Sequence, residues 1–255
     1  MTAPGGRTTA EEGFASVVFD CDSTLVTIEG IDELAGDRID EVRRMTDLAM
    51  DGAMPLEEVY GERLALIDPT REAVAAVGRA YLASLVEDAK ETVQALLWLG
   101  KEVRVVSGGL LPPVLEGARA LGLADGAVAA VDIRFDGEGR YLDFDRSSPL
   151  ARSGGKPDVV SAWSLPRPSV LVGDGSTDLE ARSAVDCFVA FAGVVRREAV
   201  CAAADRVLEA PSLAPVLALA CSGADRERLC GSRWAELLER GEKLLSSAGG
   251  AGASR

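Results

Sequence analysis

The sequence predicts an α/β fold: a doubly wound, mostly parallel sheet with a helical cap inserted after its first strand. From Ala89 onward, short apolar runs alternate with helical stretches, the pattern of strand–helix–strand units joined by right-handed crossovers. Before them, from about Gly30 to Lys90, apolar residues recur at helical spacing with almost no strand signal. The strand-like runs also end in acidic, hydroxyl or glycine residues, which puts polar chemistry where an open α/β sheet binds ligands.

Val17, Val18 and Phe19 form the first strand. In the insert, Ile39, Val42, Met45, Leu48 and Ala49 keep helical spacing, as do Leu64, Ala65 and Ile67. Pro55, following Met50-Asp51-Gly52, marks a turn that opens a new helix. Glu91 to Leu99 reads as a helix ending at Gly100, Val103 to Val106 as a buried strand, and Leu111 to Leu121 as a helix with Pro112 and Pro113 tolerated near its start. Val131 to Phe135 and Tyr141 to Phe144 flank Asp136-Gly137-Glu138-Gly139 as a hairpin. Val159 to Trp163 and Leu179 to Ser183 are helical, and Val170 to Val172, Cys187 to Phe191 and Arg206 to Leu208 are strands. In the tail, Trp234 to Leu245 is helical, and Ser246 to Gly252 reads as disordered. The boundaries are a disordered segment at 1–13, a core at 14–27 and 89–221, a helical cap at 28–88 and a tail at 222–255. The tail is open to three readings: it covers an apolar patch, mediates self-association, or does nothing.

A chain of 255 residues is long enough for one α/β domain with a smaller insert, and 47% apolar with 27% charged residues is ordinary for a globular protein. The longest apolar runs, such as Ala214 to Cys221, are too short to span a bilayer, and Met1 to Phe14 lacks the apolar stretch of a signal peptide. The cysteines at 21, 187, 201, 221 and 230 show no Cys-x-x-Cys spacing, and the chain has no His. Both facts argue against a zinc site and a disulfide framework and suit a reducing cytoplasm. The net charge of -14 disfavours nucleic acid as a partner, since nothing resembles a basic stripe, and attraction for an anionic substrate must come locally, from a metal ion and a few cations in the site. Without His, proton transfer near neutral pH falls to carboxylates with shifted pKa values, or to Lys, Cys or Tyr.

The first strand delivers Asp20 and Asp22, two residues apart, so in extended chain both face one crevice. Two like charges that close are costly unless a cation or a shared proton relieves them. A solvated turn is the bland reading of such a cluster. The apolar run before it and three segments downstream favour chemistry instead. Ser107-Gly108-Gly109 follows Val103-Arg104-Val105-Val106. Ser153-Gly154-Gly155-Lys156 presents a lysine after two glycines. Gly173-Asp174-Gly175-Ser176-Thr177-Asp178 follows Ser169-Val170-Leu171-Val172. Cys21, between the aspartates, points away from them in extended chain and reads as a buried thiol, not a nucleophile.

These four motifs, in this order, resemble the haloacid dehalogenase superfamily of aspartate-nucleophile phosphatases. Within it the match is to the phosphoserine phosphatases. They share the segments Ile28-Glu29-Gly30-Ile31-Asp32-Glu33-Leu34-Ala35, Met50-Asp51-Gly52 and Glu62-Arg63-Leu64-Ala65-Leu66-Ile67. The resemblance runs from about Ser16 to Cys221 and implies a cap that closes over the crevice. It implies that Asp20 is the nucleophile, forming an aspartyl-phosphate, and that Asp22 is the general acid/base. It implies Mg²⁺ bound by the Asp20 and Asp174 side chains and the Asp22 carbonyl, with Asp178 behind them. Ser107, Gly108, Gly109, Lys156 and Thr177 would hold the phosphoryl group. Glu29 would read an α-ammonium and Arg63 an α-carboxylate, while Met50 and Gly52 enclose the substrate.

The expected reaction is hydrolysis of O-phospho-L-serine to L-serine and phosphate, the last step of serine biosynthesis. Another small phosphate ester, such as a homoserine phosphate, is the alternative. A non-enzymatic receiver domain fits poorly with the length, the insert and the Asp-x-Asp spacing, and a dehalogenase would need neither Asp22 nor a metal. The expected partner is a small phosphate ester, with no nucleic acid and no membrane; a homodimer is left open. One departure stands out: where the family has a Thr-Pro-Gly turn before the helix at Glu91, this chain has Leu85-Val86-Glu87-Asp88-Ala89, which alters the hinge between cap and core.

Overall fold

The computed structural model describes residues 13–50 and 53–249. Strand β1 (Ser16–Phe19) leads into four helices, α1 (Gly30–Glu33), α2 (Ile39–Met50), α3 (Leu56–Ile67) and α4 (Arg71–Ala83). Then come α5 (Ala89–Trp98), β2 (Glu102–Leu110), α6 (Leu111–Leu121) and β3 (Val128–Val131). The hairpin β4 (Ile133–Phe135) and β5 (Tyr141–Phe144) precedes α7 (Gly155–Ala162), β6 (Ser169–Gly173) and α8 (Ser176–Glu180). The chain continues through β7 (Cys187–Phe191), α9 (Glu198–Ala203), β8 (Arg206–Leu208), α10 (Ala214–Ala220), α11 (Gly223–Cys230) and α12 (Ala235–Gly249).

The main sheet has the order β3-β2-β1-β6-β7-β8, with every pairing parallel. Its first strand sits in the middle. The chain winds outward through β2 and β3 on one side and through β6, β7 and β8 on the other, so the direction switches between β1 and β6. Ligands of open α/β sheets bind at that switch, outside the carboxyl ends of the strands. Successive strand residues feed opposite faces. Val17, Phe19, Val105, Val170 and Val172 pack with α5, α6 and α10, whereas Val18, Val106 and Leu171 join the cap and α7 side. Both faces are covered, which is why these strands read as continuous apolar runs.

Several elements differ locally from the sequence reading. The expected strand Val131 to Phe135 breaks at Asp132, whose side chain accepts from the Ile133 amide (2.8 Å) and whose carbonyl accepts from the Asp145 amide (2.8 Å). Val131 therefore ends a parallel strand and Ile133 begins an antiparallel one. Helix α7 starts at Gly155, not Val159, because Pro157 fits a first helical turn, where no amide is needed. Helix α8 starts at Ser176, not Leu179, because Asp178 accepts from the Gly175 amide (3.0 Å) and anchors the first turn. Helix α9 gave no separate signal. Gly13, assigned to the disordered segment, has φ +66° and packs on Ala220 to Ser222; residues 1–12 lie outside the described ones.

The tail covers an apolar face of the core. Trp234, Leu237 and Leu238 are buried in the cluster that holds α5 and α10. Helix α12 runs through Ser246 to Gly249, past the expected start of disorder, and the Ser246 and Ser247 hydroxyls donate back to the Glu242 and Leu244 carbonyls. Residues 250–255 lie outside the described ones. The altered hinge is tied to this region. Asp88 adopts a left-handed conformation (φ 62°), and its carboxylate accepts from Ser212 Oγ (2.8 Å) and from Arg240 on α12. Asp tolerates the left-handed region better than most non-glycine residues.

Candidate active site

Register assembles the centre of the site. Phe19 pairs with Val172, so Asp20 and Asp174, following β1 and β6 respectively, emerge side by side at the switch point. They open onto a crevice of about 450 Å³, mouth included, closed on the cap side by Glu29, Ile31, Leu56 and Arg63. Ten of the residues singled out in the sequence line it: Asp20, Asp22, Glu29, Arg63, Ser107, Gly108, Gly109, Lys156, Asp174 and Thr177. Asp178 lies fully buried beneath. Met50 ends α2, whose neighbouring Ala49 carbonyl accepts from Ser176 Oγ (3.1 Å) on α8; Gly52 lies outside the described residues.

Lys156 is the electrostatic hinge of the floor. Its Nζ lies 2.8 Å from Asp20 Oδ1 and 2.7 Å from Asp178 Oδ1. The second Asp178 oxygen accepts from the Gly175 amide, so both of its oxygens are engaged. Gly173 makes this arrangement possible: a Cβ there would come within 2.5 Å of Asp178 Oδ2 and 2.7 Å of its Cβ. One oxygen each from Asp20, Asp174 and Asp178 lies within 4.8 Å of the others. Asp174 also accepts from Thr24 Oγ1 (3.4 Å) and from Arg197 Nε (3.3 Å). An all-oxygen carboxylate set of this kind suits a hard divalent cation.

The acids in this crevice hold their protons unusually well. Burial, then the Asp178 charge, pushes Asp20 up to about 7, against the pull of Lys156. Burial and then Glu29 raise Asp22 well above the usual carboxylate range, and burial, Glu29 and Asp20 do the same to Asp174. Burial opposes the Lys156 charge, but Asp178 and Asp20 outweigh it and hold the ammonium charged. Cys21 faces an apolar cavity with Leu25, Val26 and Val105, and burial pushes its thiol up, so it is no nucleophile.

On the strand side, the Gly109 amide donates to Ser107 Oγ (2.9 Å). A Cβ on Gly109 would sit 3.0 Å from Asp22 Oδ2, so glycine lets the backbone close on the acid. On the cap side, Glu29 accepts from Ser23 Oγ (2.6 Å). Arg63 is buried, 3% exposed; its Nη1 donates to Thr46 Oγ1 (2.8 Å), which in turn donates to Asp32 Oδ1 (2.6 Å). Among the described residues its Nε has no hydrogen-bond partner.

Three contributors were invisible to sequence reasoning. Thr46 sits on α2 among core positions at helical spacing, and only the folded cap sets it between Asp32 and Arg63. Arg197 follows a loop after β7 and reaches both Asp174 and Asp47 of the cap (3.7 Å). Tyr81 on α4 donates from its hydroxyl to Asp22 Oδ1. Each is a tertiary contact spanning many residues, with no local motif to announce it.

No protein-family model matches the chain. The chain is 38% identical over 190 residues to the phosphoserine phosphatase of Bos taurus, an alignment covering 72% of this chain and 84% of that one. The chain belongs to the phosphoserine phosphatase family. It is accordingly a phosphomonoester hydrolase with the haloacid dehalogenase-type core described above. A solved phospho-aspartyl intermediate analogue of phosphoserine phosphatase superposes with a TM-score of 0.70 at 27% identity, covering 80% of this chain and 97% of that one. A substrate-bound phosphoserine phosphatase complex gives 0.70 at 27%, covering 80% and 96%. Among the described residues, no helix is long and apolar enough to cross a membrane.

Proposed function

We propose that this crevice hydrolyses O-phospho-L-serine to L-serine and phosphate through a phosphorylated Asp20. The observation that carries the reading is the convergence of Asp20, Lys156 and Asp22 with a buried Arg63 in one enclosed crevice. The first group of residues serves any phosphate ester; the arginine selects one that carries a carboxylate.

In the first displacement an Asp20 oxygen forms a bond to phosphorus as the bond from phosphorus to the serine oxygen breaks. Lys156, 2.8 Å from Asp20 Oδ1, holds the nucleophile and offsets charge on the phosphoryl oxygens. Asp22 gives its proton to the leaving serine oxygen, a role favoured by the burial and the Glu29 charge that keep it protonated. In the second displacement Asp22 takes a proton from water, whose oxygen attacks phosphorus and releases phosphate and the Asp20 carboxylate. Ser107, Gly108, Gly109 and Thr177 line the same crevice and would border the phosphoryl group. Glu29 faces the substrate ammonium, and Met50 and Gly52 match the segment with which the family encloses its substrate. The carboxylates Asp20, Asp174 and Asp178 fit a divalent cation such as Mg²⁺; the Asp20 and Asp174 side chains and, by the family resemblance, the Asp22 carbonyl would hold it, with Asp178, whose oxygens are engaged, behind them. When bound, it would neutralise charge on the transferring phosphoryl group.

A place at the last step of serine biosynthesis and a cytoplasmic setting belong to the same proposal. The five cysteines, all unpaired, support a reducing compartment. The test is a panel of phosphate monoesters: phosphoserine, phosphothreonine, a homoserine phosphate, phosphoethanolamine and p-nitrophenyl phosphate. Phosphoserine should give the highest kcat/KM and phosphoethanolamine, which lacks the carboxylate, a poor one. A higher value for another ester would replace the substrate while leaving the reaction class intact.

A further inference from the structure

Among the described residues, Tyr81 is the one cap side chain that bonds directly to the acid assigned to proton transfer. It lies on the last cap helix, α4, and is fully buried. Its hydroxyl donates to Asp22 Oδ1. The ring lies between two glycines. A Cβ at Gly30 would overlap the hydroxyl and sit 3.0 Å from Cζ, and one at Gly117 on α6 would sit 3.5 Å from Cδ2. Gly30 thus makes room for this phenol, whereas a Cβ at Gly117 would meet the ring only at ordinary contact distance. With Oδ1 held, Oδ2 is the oxygen left beside Gly109, on the crevice side.

We infer that Tyr81 is a positioning residue for proton transfer: it fixes the Asp22 carboxyl so that Oδ2 faces the leaving oxygen of the ester. The inference rests on the reading of Asp22 as general acid given above. A carboxylic acid has one proton and two oxygens, and an acceptor bond to Oδ1 directs that proton to Oδ2. Without the phenol, the side chain can turn about its terminal torsion, which has a broad, roughly two-fold preference. Small misplacements of a catalytic group are expensive even when the group itself is intact. Because α4 belongs to the cap, the acid is also oriented by the domain that covers the substrate.

The test compares leaving groups. An alkyl oxygen such as that of serine needs a proton as it departs, whereas p-nitrophenolate does not. Tyr81→Phe, which keeps the ring and removes only the hydroxyl, should lower kcat on phosphoserine by roughly 10- to 100-fold, part of the full value of general acid catalysis. On p-nitrophenyl phosphate the first half-reaction, read as the burst of p-nitrophenol, should slow by less than about threefold. Asp22→Asn should show the same selectivity more strongly, and the double variant should be no worse than Asp22→Asn alone, since the two act as one unit. Gly30→Ala, whose Cβ displaces the hydroxyl, is an independent route to the same selective loss. If Asp22→Asn discriminates between the esters while Tyr81→Phe slows both equally, Tyr81 is a packing residue and the inference is overturned. If Asp22→Asn itself slows both equally, the acid assignment falls and takes this inference with it.

Discussion

Arg63→Ala probes substrate selection most sharply, because Arg63 borders the crevice without contacting the phosphoryl floor. Its guanidinium is fixed by Thr46 on one side, while Nε stays buried without a hydrogen-bond partner among the described residues. A hydrogen bond to a charged group contributes about 1.5–3 kcal/mol. Losing that contact with the substrate carboxylate should therefore lower kcat/KM on phosphoserine by roughly 10- to 150-fold. On p-nitrophenyl phosphate, which has no carboxylate, the change should stay within about threefold. Arg63→Lys keeps the charge but loses the planar fork, so it should fall between the two. The Thr46–Asp32 bond does not depend on Arg63 and should survive the truncation, and circular dichroism should report a folded protein. The assay is steady-state kinetics on both esters with the same preparations. Equal losses on both would show that Arg63 serves cap packing and would refute its role in selection.

Two further perturbations follow from the site. Gly173→Ala drives a Cβ into Asp178 and should destabilise the fold by about 1–3 kcal/mol, the usual cost of overpacking. By displacing the Lys156 contact it should also lower kcat; a variant of unchanged thermal midpoint would contradict the steric argument. The second concerns pH. Asp20, Asp22 and Asp174 have folded pKa values above those of the unfolded chain, so the folded state binds more protons. Their favourable contribution is present at low pH and is lost as pH rises through about 7, the Asp20 value. Metal-free protein should lose thermal stability as pH rises from about 4 to about 7, and stabilisation by added Mg²⁺ should grow over the same interval. A midpoint that rises across it would contradict the shifts.

The fold was legible where local pattern and tertiary role coincide. Val17 to Phe19 and Val170 to Val172 read as buried strands because parallel strands covered on both faces need no polar alternation. Asp20, Asp174 and Lys156 were legible for a related reason: each follows an apolar run or a glycine pair and needs only the switch-point topology to meet the others. Boundaries were less legible. Pro157 and the Asp178 anchor start α7 and α8 earlier than apolar spacing alone indicates, and Asp132 splits one apparent strand into two. Tyr81, Arg197 and Thr46 could not be read at all. Their roles depend on distant partners (59 residues separate Tyr81 from Asp22), and in sequence they are ordinary helix or loop residues.

In the proposed mechanism Asp20 carries the phosphoryl group during turnover. The direct measurement is acid quenching of the enzyme during turnover of radiolabelled phosphoserine, followed by peptide mapping of the protein-bound label. Label should appear on the peptide containing Asp20 and be absent from Asp20→Asn, whose kcat should fall by on the order of 10⁴-fold or more. Label on another residue, or an Asp20→Asn variant within about tenfold of the parent, would contradict that mechanism.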